Sequence, residues 1–232
     1  GEKVEALDQV VIAYDPASMS ARDPKTVAVL DRIAALAKKH VLWVVADEVY
    51  STLIFDGAHV SICGLDGMAE RTATVSSLSK SHAMTGWRLG WAAAPKDLLA
   101  AMRKIHQYTI MSAPTVAQHA AILALTQGDE HVERMRAEYN RRRMLLVAGL
   151  NELGLATFEP KGAFYAFPSI AASGMNEEAF AEKLLQEERV AVVPGAAFGQ
   201  SGAGFVRACY ATAYEKLEEA LERLRRFMNR YG

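Results

Sequence analysis

The chain has little that would mark an oxidising, membrane-bound or nucleic-acid-bound setting. Its two cysteines, Cys63 and Cys209, have no paired spacing. No apolar run is long enough to span a bilayer and no charged-then-apolar leader is recognised, so a reducing cytoplasm without a membrane partner is expected. The formal net charge is −1 and no block of like charge occurs, which leaves no electrostatic footprint for nucleic acid. Six histidines, His40, His59, His82, His106, His119 and His131, are scattered without ligand spacing, so no metal site is expected. Internal repeats and low-complexity segments are absent from the sequence.

What is present is an ordinary globular balance. Of 232 residues, 51% are hydrophobic and 23% charged, enough to bury a core in one large domain or a domain and a half. The first third alternates apolar runs with an amphipathic segment, the pattern of a parallel sheet with crossover helices. Strands are expected at residues 10–14, 41–46, 73–77 and 89–94, the last stopped by Pro95. Asp23-Pro24 reads as an N-cap and first helical residue, followed by Val27, Leu30, Ile33, Ala34 and Ala37 at helical spacing. Helices are then expected over 96–108, from Pro114, over 129–151 and near 176–188. Short strands are expected at 163–167, 190–193 and 205–211. Thr212-Ala213-Tyr214-Glu215 has the form of a capping box, and Leu217, Leu221, Leu224 and Met228 form the apolar face of a closing helix.

One segment carries chemistry. Lys80 stands in Ser77-Leu78-Ser79-Lys80, and Met84-Thr85-Gly86-Trp87-Arg88-Leu89-Gly90 follows, with the arginine eight positions after the lysine. An amine nucleophile is thereby held near an anion clamp. Upstream, the apolar run 41–46 closes in Asp47-Glu48-Val49-Tyr50, and Asp47 and Lys80 both follow the carboxyl ends of expected strands, where open α/β sheets bind ligands.

In this order, these segments resemble the fold-type I pyridoxal-phosphate enzymes, specifically the class I and II aminotransferases. The resemblance runs from near Val10 to the C-terminus and matches the later part of the family, whose N-terminal segment is expected to be absent. It implies an α/β, pyridoxal-phosphate-transferase-like fold: a mainly parallel sheet with crossover helices plus a small C-terminal α+β domain. Residues 1–128 would be part of the large cofactor-binding domain, 129–154 a bridging helix and 155–232 the small domain.

The resemblance also implies roles. Lys80 would form the Schiff base with pyridoxal 5'-phosphate, which requires a lysine that loses its proton near neutral pH. Ser77 and Arg88, with Ser79 as a weaker candidate, would bind the phosphate, since a planar guanidinium offers two donors and a hydroxyl fills a remaining lone pair. Asp47 would pair with the pyridine nitrogen, and Tyr50 would hydrogen-bond the ring oxygen. Arg207, in Phe205-Val206-Arg207, would take the substrate α-carboxylate. The family's Asn-Pro-Thr-Gly-like loop is replaced by Asp15-Pro16-Ala17-Ser18-Met19-Ser20-Ala21, where Ser18 or Ser20 would donate a hydrogen bond toward the substrate. Gly162-Ala163-Phe164-Tyr165 and the 194–199 segment also resemble family landmarks and read mainly as packing and turn signals.

The expected activity is amino-group transfer between an amino acid and a 2-oxo acid. The alternatives are a lyase of the same fold, such as a carbon-sulfur lyase, and a non-catalytic binding or dimerisation module. The four strands of the first part are expected to be contiguous, the last antiparallel, with bare edges that recruit cover. A homodimer or a complex with the missing N-terminal segment is the expected assembly.

Overall fold

Helix α1 (Pro24–Lys39) forms because Leu30, Ala34 and Ala37 recur on one side and become buried, while Lys38 and Lys39 meet the negative end of its dipole. It ends in a Schellman turn: the Leu42 N–H donates to the Ala37 carbonyl at 2.9 Å and the Val41 N–H to the Lys38 carbonyl at 3.4 Å. Val41 pays for this with a φ of 52°, a region where a β-branched residue is strained. Strand β1 (Val44–Asp47) therefore starts three residues later than the apolar run suggests.

The computed structural model describes residues 24–232 of the chain, which divides into two compact units after Arg134. The expected strand at 10–14 and the Asp23 cap lie outside the described residues. In the first unit, β1 pairs in parallel with β2 (Thr72–Ser77), from Val44 opposite Thr72 to Asp47 opposite Val75. Strand β3 (Gly90–Ala93) lies antiparallel on the other side of β2, giving the order β1-β2-β3 with the antiparallel strand last, as expected. The α1 side of this sheet is filled by Leu30, Ala34, Ala37, Val44, Ala46, Ile62 and Met68. A single helical turn, α2 (Leu78–Ser81), follows β2 directly, and Leu78 packs with Met84 and with Ala121 of a later helix. Helices α3 (Lys96–Thr109) and α4 (Thr115–Gln127) complete the unit.

Helix α5 (Asp129–Glu152) spans the point of division. The second unit contains a small antiparallel sheet, β4 (Tyr165–Ala166), β5 (Val193–Pro194) and β6 (Val206–Cys209), in the order β4-β6-β5. Helices α6 (Glu177–Glu188) and α7 (Tyr214–Tyr231) pack with it, and Asn176 caps α6 by accepting from the Ala179 N–H at 2.8 Å. The core is Leu150, Leu155, Phe180, Leu184, Val206, Tyr210, Leu217, Leu221, Leu224, Phe227 and Met228, so the predicted apolar face of the closing helix is the buried one. Gly149 allows α5 to approach α7, since a Cβ there would lie 2.6 Å from Leu221 Cδ1.

Two expectations need correction. The Thr212 capping box does not form: α7 starts at Tyr214, Ala213 occupies the cap position, and no side chain caps the helix. Thr212 is one residue too early, and Glu215 falls at the second helical position rather than the third. The strand expected at 190–193 shrinks to Val193–Pro194, because Arg189, at φ 57°, and Val190 close the end of α6 against the Leu185 and Leu184 carbonyls. Among the described residues no helix is long and apolar enough to cross a membrane, and no group of three or more His, Cys, Asp or Glu side chains could hold a metal ion.

Candidate active site

The carboxyl ends of the parallel pair β1 and β2 carry the candidate residues of the first unit. Asp47 is the last residue of β1; its carboxylate is exposed and Oδ1 accepts from the Val49 N–H at 3.2 Å. This leaves most of its acceptor capacity for a ligand. Tyr50, in the turn that follows, is half-buried, and its carbonyl accepts from the Leu53 N–H at 2.9 Å.

On the neighbouring strand, Ser77 ends β2 in extended conformation and caps α2, its Oγ accepting from the Ser79 N–H at 3.2 Å. The Ser77 hydroxyl proton then remains to be donated. Lys80 is the third residue of α2 and half-buried. Strand pairing sets Gly90 opposite Ser77, and a Cβ on Gly90 would lie 2.8 Å from the Ser76 carbonyl oxygen and 3.2 Å from Ser77 Cβ. A residue without a side chain is thus what lets β3 run against the serine.

The chain returns from α2 to β3 through a tight, well-tied loop. The Met84 N–H donates to the Leu78 carbonyl at 3.2 Å, and Thr85 Oγ1 donates to the Ser79 carbonyl at 3.0 Å. Arg88 follows the 3-10 turn Thr85–Trp87 with φ 54° and ψ 49°, and its Nη1 donates to the Thr85 carbonyl at 2.9 Å. The next residue, Leu89, accepts from the Leu78 N–H at 3.3 Å. Arg88 is thereby brought back beside the Ser77 to Lys80 turn. It is exposed and has no ion-pair partner among the described residues.

These donors and acceptors suit the group that the resemblance implies. A hydroxyl and an uncompensated guanidinium fit a phosphate, a carboxylate on the adjacent strand fits a protonated ring nitrogen, and a half-buried amine lies between them in sequence. Ser77, Ser79 and Lys80 share one turn, Arg88 lies on the loop that returns beside it, and Asp47 ends the neighbouring strand. Arg207 belongs to the second unit. Ser18 and its loop lie outside the described residues.

The sequence reading missed two arrangements. Glu48, next to Asp47, is buried, and its Oε2 is 3.0 Å from His59 Nε2, in a contact bent away from hydrogen-bond geometry. Burial acts to raise the Glu48 carboxyl, but His59 and Ser61 outweigh it and hold the group below its ordinary value. Its backbone is also tied to β2: the N–H donates to the Val75 carbonyl at 2.8 Å and the carbonyl accepts from Ser76 Oγ at 3.2 Å. In the second unit, the segments read as packing and turn signals supply Tyr165 and Phe198, whose rings lie on the Arg207 guanidinium. The acidic side chain of an Asp-Glu pair turned inward by strand alternation, and aromatics flanking a strand arginine, were the only local signals of either.

The model of the family described as "Aminotransferase class I and II" matches residues 2–224 of the chain. The chain belongs to that family. An aspartate aminotransferase of Pyrococcus abyssi is 51% identical over 204 residues, covering 86% of this chain and 52% of that protein. The aromatic-amino-acid aminotransferase 2 of Thermococcus litoralis is 48% identical over 202 residues, covering 86% of this chain and 52% of that protein. Among solved structures, an aromatic aminotransferase from Pyrococcus horikoshii superposes with a TM-score of 0.85 at 50% identity, covering 88% of this chain and 55% of that one. The fold is therefore the one the resemblance implied. The chain spans about half the length of the curated relatives it matches.

Proposed function

We propose that the protein is a pyridoxal-phosphate-dependent aminotransferase that moves an amino group between an amino acid and a 2-oxo acid. The observation that carries the reading is that Asp47 and the Ser77 to Lys80 turn leave the carboxyl ends of two adjacent parallel strands, in a chain whose family and named relatives are aminotransferases. Those names favour transamination over the lyase and the non-catalytic module. Pyridoxal phosphate, when bound, supplies a conjugated ring that accepts the electrons released at the substrate Cα.

The chain's own residues would do the rest. Ser77 and Ser79 donate hydroxyl protons to the phosphate, and Arg88 offers it guanidinium donors beyond the one spent on the Thr85 carbonyl. Asp47 keeps the ring nitrogen protonated. Tyr50 donates to the ring oxygen. The Lys80 Nζ binds the cofactor and then moves the proton at the substrate Cα. Arg207 holds the substrate carboxylate, and Ser18 donates a hydrogen bond to the substrate.

The assembly belongs to the same proposal. Helix α3 has no buried residue, and Ile105, Tyr108, Ile122, Leu123 and Leu125 of α3 and α4 are exposed. A second copy of the protein, or the portion of the family fold that this chain does not match, would cover this surface.

The test is borohydride treatment of the intact protein saturated with pyridoxal phosphate, followed by peptide mass spectrometry. The expected result is a reduced pyridoxyl group on Lys80 and none in Lys80→Ala, with the fold retained by circular dichroism. A label on any other lysine, or a label that survives Lys80→Ala, removes Lys80 from the role. A half-reaction with several amino acids that released pyruvate and ammonia instead of the matching oxo acid would move the reading to a lyase.

A further inference from the structure

Arg207 is the strand residue opposite Val193 in the β5–β6 pair, half-buried on the small sheet of the second unit. Its guanidinium carbon lies 4.3 Å from the centroid of the Tyr165 ring and 4.2 Å from that of Phe198. Tyr165 reaches it diagonally from β4, where it pairs with Cys209, two residues along β6. Phe198 comes from the 3-10 turn Gly195–Phe198. Both rings are braced from behind. Phe167 meets Phe198 edge-on at 5.7 Å, and Phe164 lies 4.7 Å from Tyr165. Among the described residues, Arg207 has neither an ion pair nor a hydrogen bond.

A buried or half-buried cation ordinarily finds a carboxylate. This one is held by two aromatic rings instead. A ring stabilises the guanidinium through its π face and makes no claim on the in-plane N–H donors, which are the ones a carboxylate accepts from bidentately. The arrangement therefore restricts the long side chain while keeping its recognition edge available. The rotamer freedom that a solvated arginine would lose on binding is already lost in the folded protein.

We propose that Phe198 and Tyr165 are positioning residues for substrate binding: they preset the Arg207 guanidinium for a planar carboxylate, and the half-exposed Phe198 ring walls one side of that carboxylate. This rests on the reading of Arg207 as the substrate-carboxylate ligand. The contact is the same before and during the reaction, so its loss weakens substrate binding uniformly and appears in KM rather than kcat.

The experiment is steady-state kinetics of the intact protein with its cofactor, using Phe198→Leu, Phe198→Tyr, Tyr165→Leu and Arg207→Lys. Phe198→Leu and Tyr165→Leu are each expected to raise KM for the amino acid roughly 2- to 30-fold, the fold-change equivalent of one guanidinium–ring contact. In both, kcat and pyridoxal-phosphate affinity should stay within about twofold of the parent, a split that general loosening of the fold would not produce. Phe198→Tyr, which keeps a ring of the same shape, should restore the parent KM. If Arg207→Lys raises KM while both leucine variants match the parent, the positioning role is overturned and the ligand role of Arg207 stands. If Phe198→Tyr is as impaired as Phe198→Leu, Phe198 acts by packing and the proposal is likewise overturned. An unchanged KM in Arg207→Lys removes the ligand role and the proposal together.

Discussion

The two units handle their apolar side chains in opposite ways. In the second, α7 is strongly amphipathic and turns Leu217, Leu221, Leu224, Phe227 and Met228 into a core shared with α5 and α6. Glu188 at the end of α6 then accepts from Arg226 and Arg230 at 2.7 Å each, and Arg223 donates to the Glu188 carbonyl at 2.9 Å, which sets the register of α6 on α7. In the first unit, α4 is apolar around most of its circumference and buries Ala117 and Ala121, leaving Val116, Ile122, Leu123 and Leu125 exposed. All four residues of β3 are exposed, Trp91 among them. A helix with one apolar stripe can be satisfied within a small unit, whereas one that is apolar all round needs neighbours on several sides. The difference teaches that the second unit turns its apolar helix faces into its own core, while the first leaves much apolar side-chain surface exposed.

The largest expected effect tests the self-sufficient side. Phe227→Ala removes a ring that meets Phe180 edge-on at 5.2 Å and Tyr231 at 4.9 Å, and should cost about 3–5 kcal/mol in denaturant unfolding. Leu123→Ser on α4 should change the stability of the isolated chain by no more than about 0.5 kcal/mol. Equal losses at the two sites would break the comparison.

The next effect concerns the point where the first unit is tightly built despite its open surface. Gly90→Ala should cost about 1–3 kcal/mol, because the new methyl group meets the Ser76 carbonyl and Ser77. Pyridoxal-phosphate affinity should fall with it, measured by fluorescence titration. A variant as stable as the parent, with unchanged cofactor binding, would show that β3 does not set the Ser77 turn.

Ile122→Glu on α4 tests the covering itself. A charge in the middle of a buried contact should weaken association by about 1–3 kcal/mol, read as a shift in the concentration dependence of sedimentation. No shift would mean that this face stays in water and that the first unit tolerates its apolar surface.

The smallest effect sharpens the electrostatic side of the second unit. Hydrogen bonds from Arg141 and Arg142 hold the Glu138 carboxyl well below its ordinary value of 4.5, at about 2. A depressed carboxyl contributes stability that is present above its unfolded value and is lost as pH falls through the folded one. Glu138→Gln should therefore flatten the pH dependence of stability between about 4.5 and 2 and leave neutral pH nearly unchanged. An unaltered acid limb would assign that limb to other carboxylates.

Much of the first unit's site was legible because its residues are close in sequence. The Ser77 to Lys80 turn, the Thr85 to Gly90 return and Asp47 at a strand end form one local pattern. The strand starts were less legible. Val41 and Arg189 read as the first or neighbouring residues of apolar runs, yet both are used in left-handed turns that close the preceding helix. Neither carries the glycine that would advertise such a turn. Thr212 failed for a related reason: a cap motif is recognised by spacing alone, and a shift of one residue in the helix start removes it.

Sequence alone determined the order of strands and helices, the apolar face of α7, the family and the motif around Lys80, since each depends on short-range periodicity or on side chains a few positions apart. Tertiary structure decided that Glu48 turns inward to His59, eleven residues on, that Gly90 lies against Ser77, and that Tyr165 of β4 and Phe198 of the 195–198 turn, both earlier in the sequence, come to rest on Arg207. These contacts join residues 9 to 42 positions apart, and only strand register and loop closure bring such residues together.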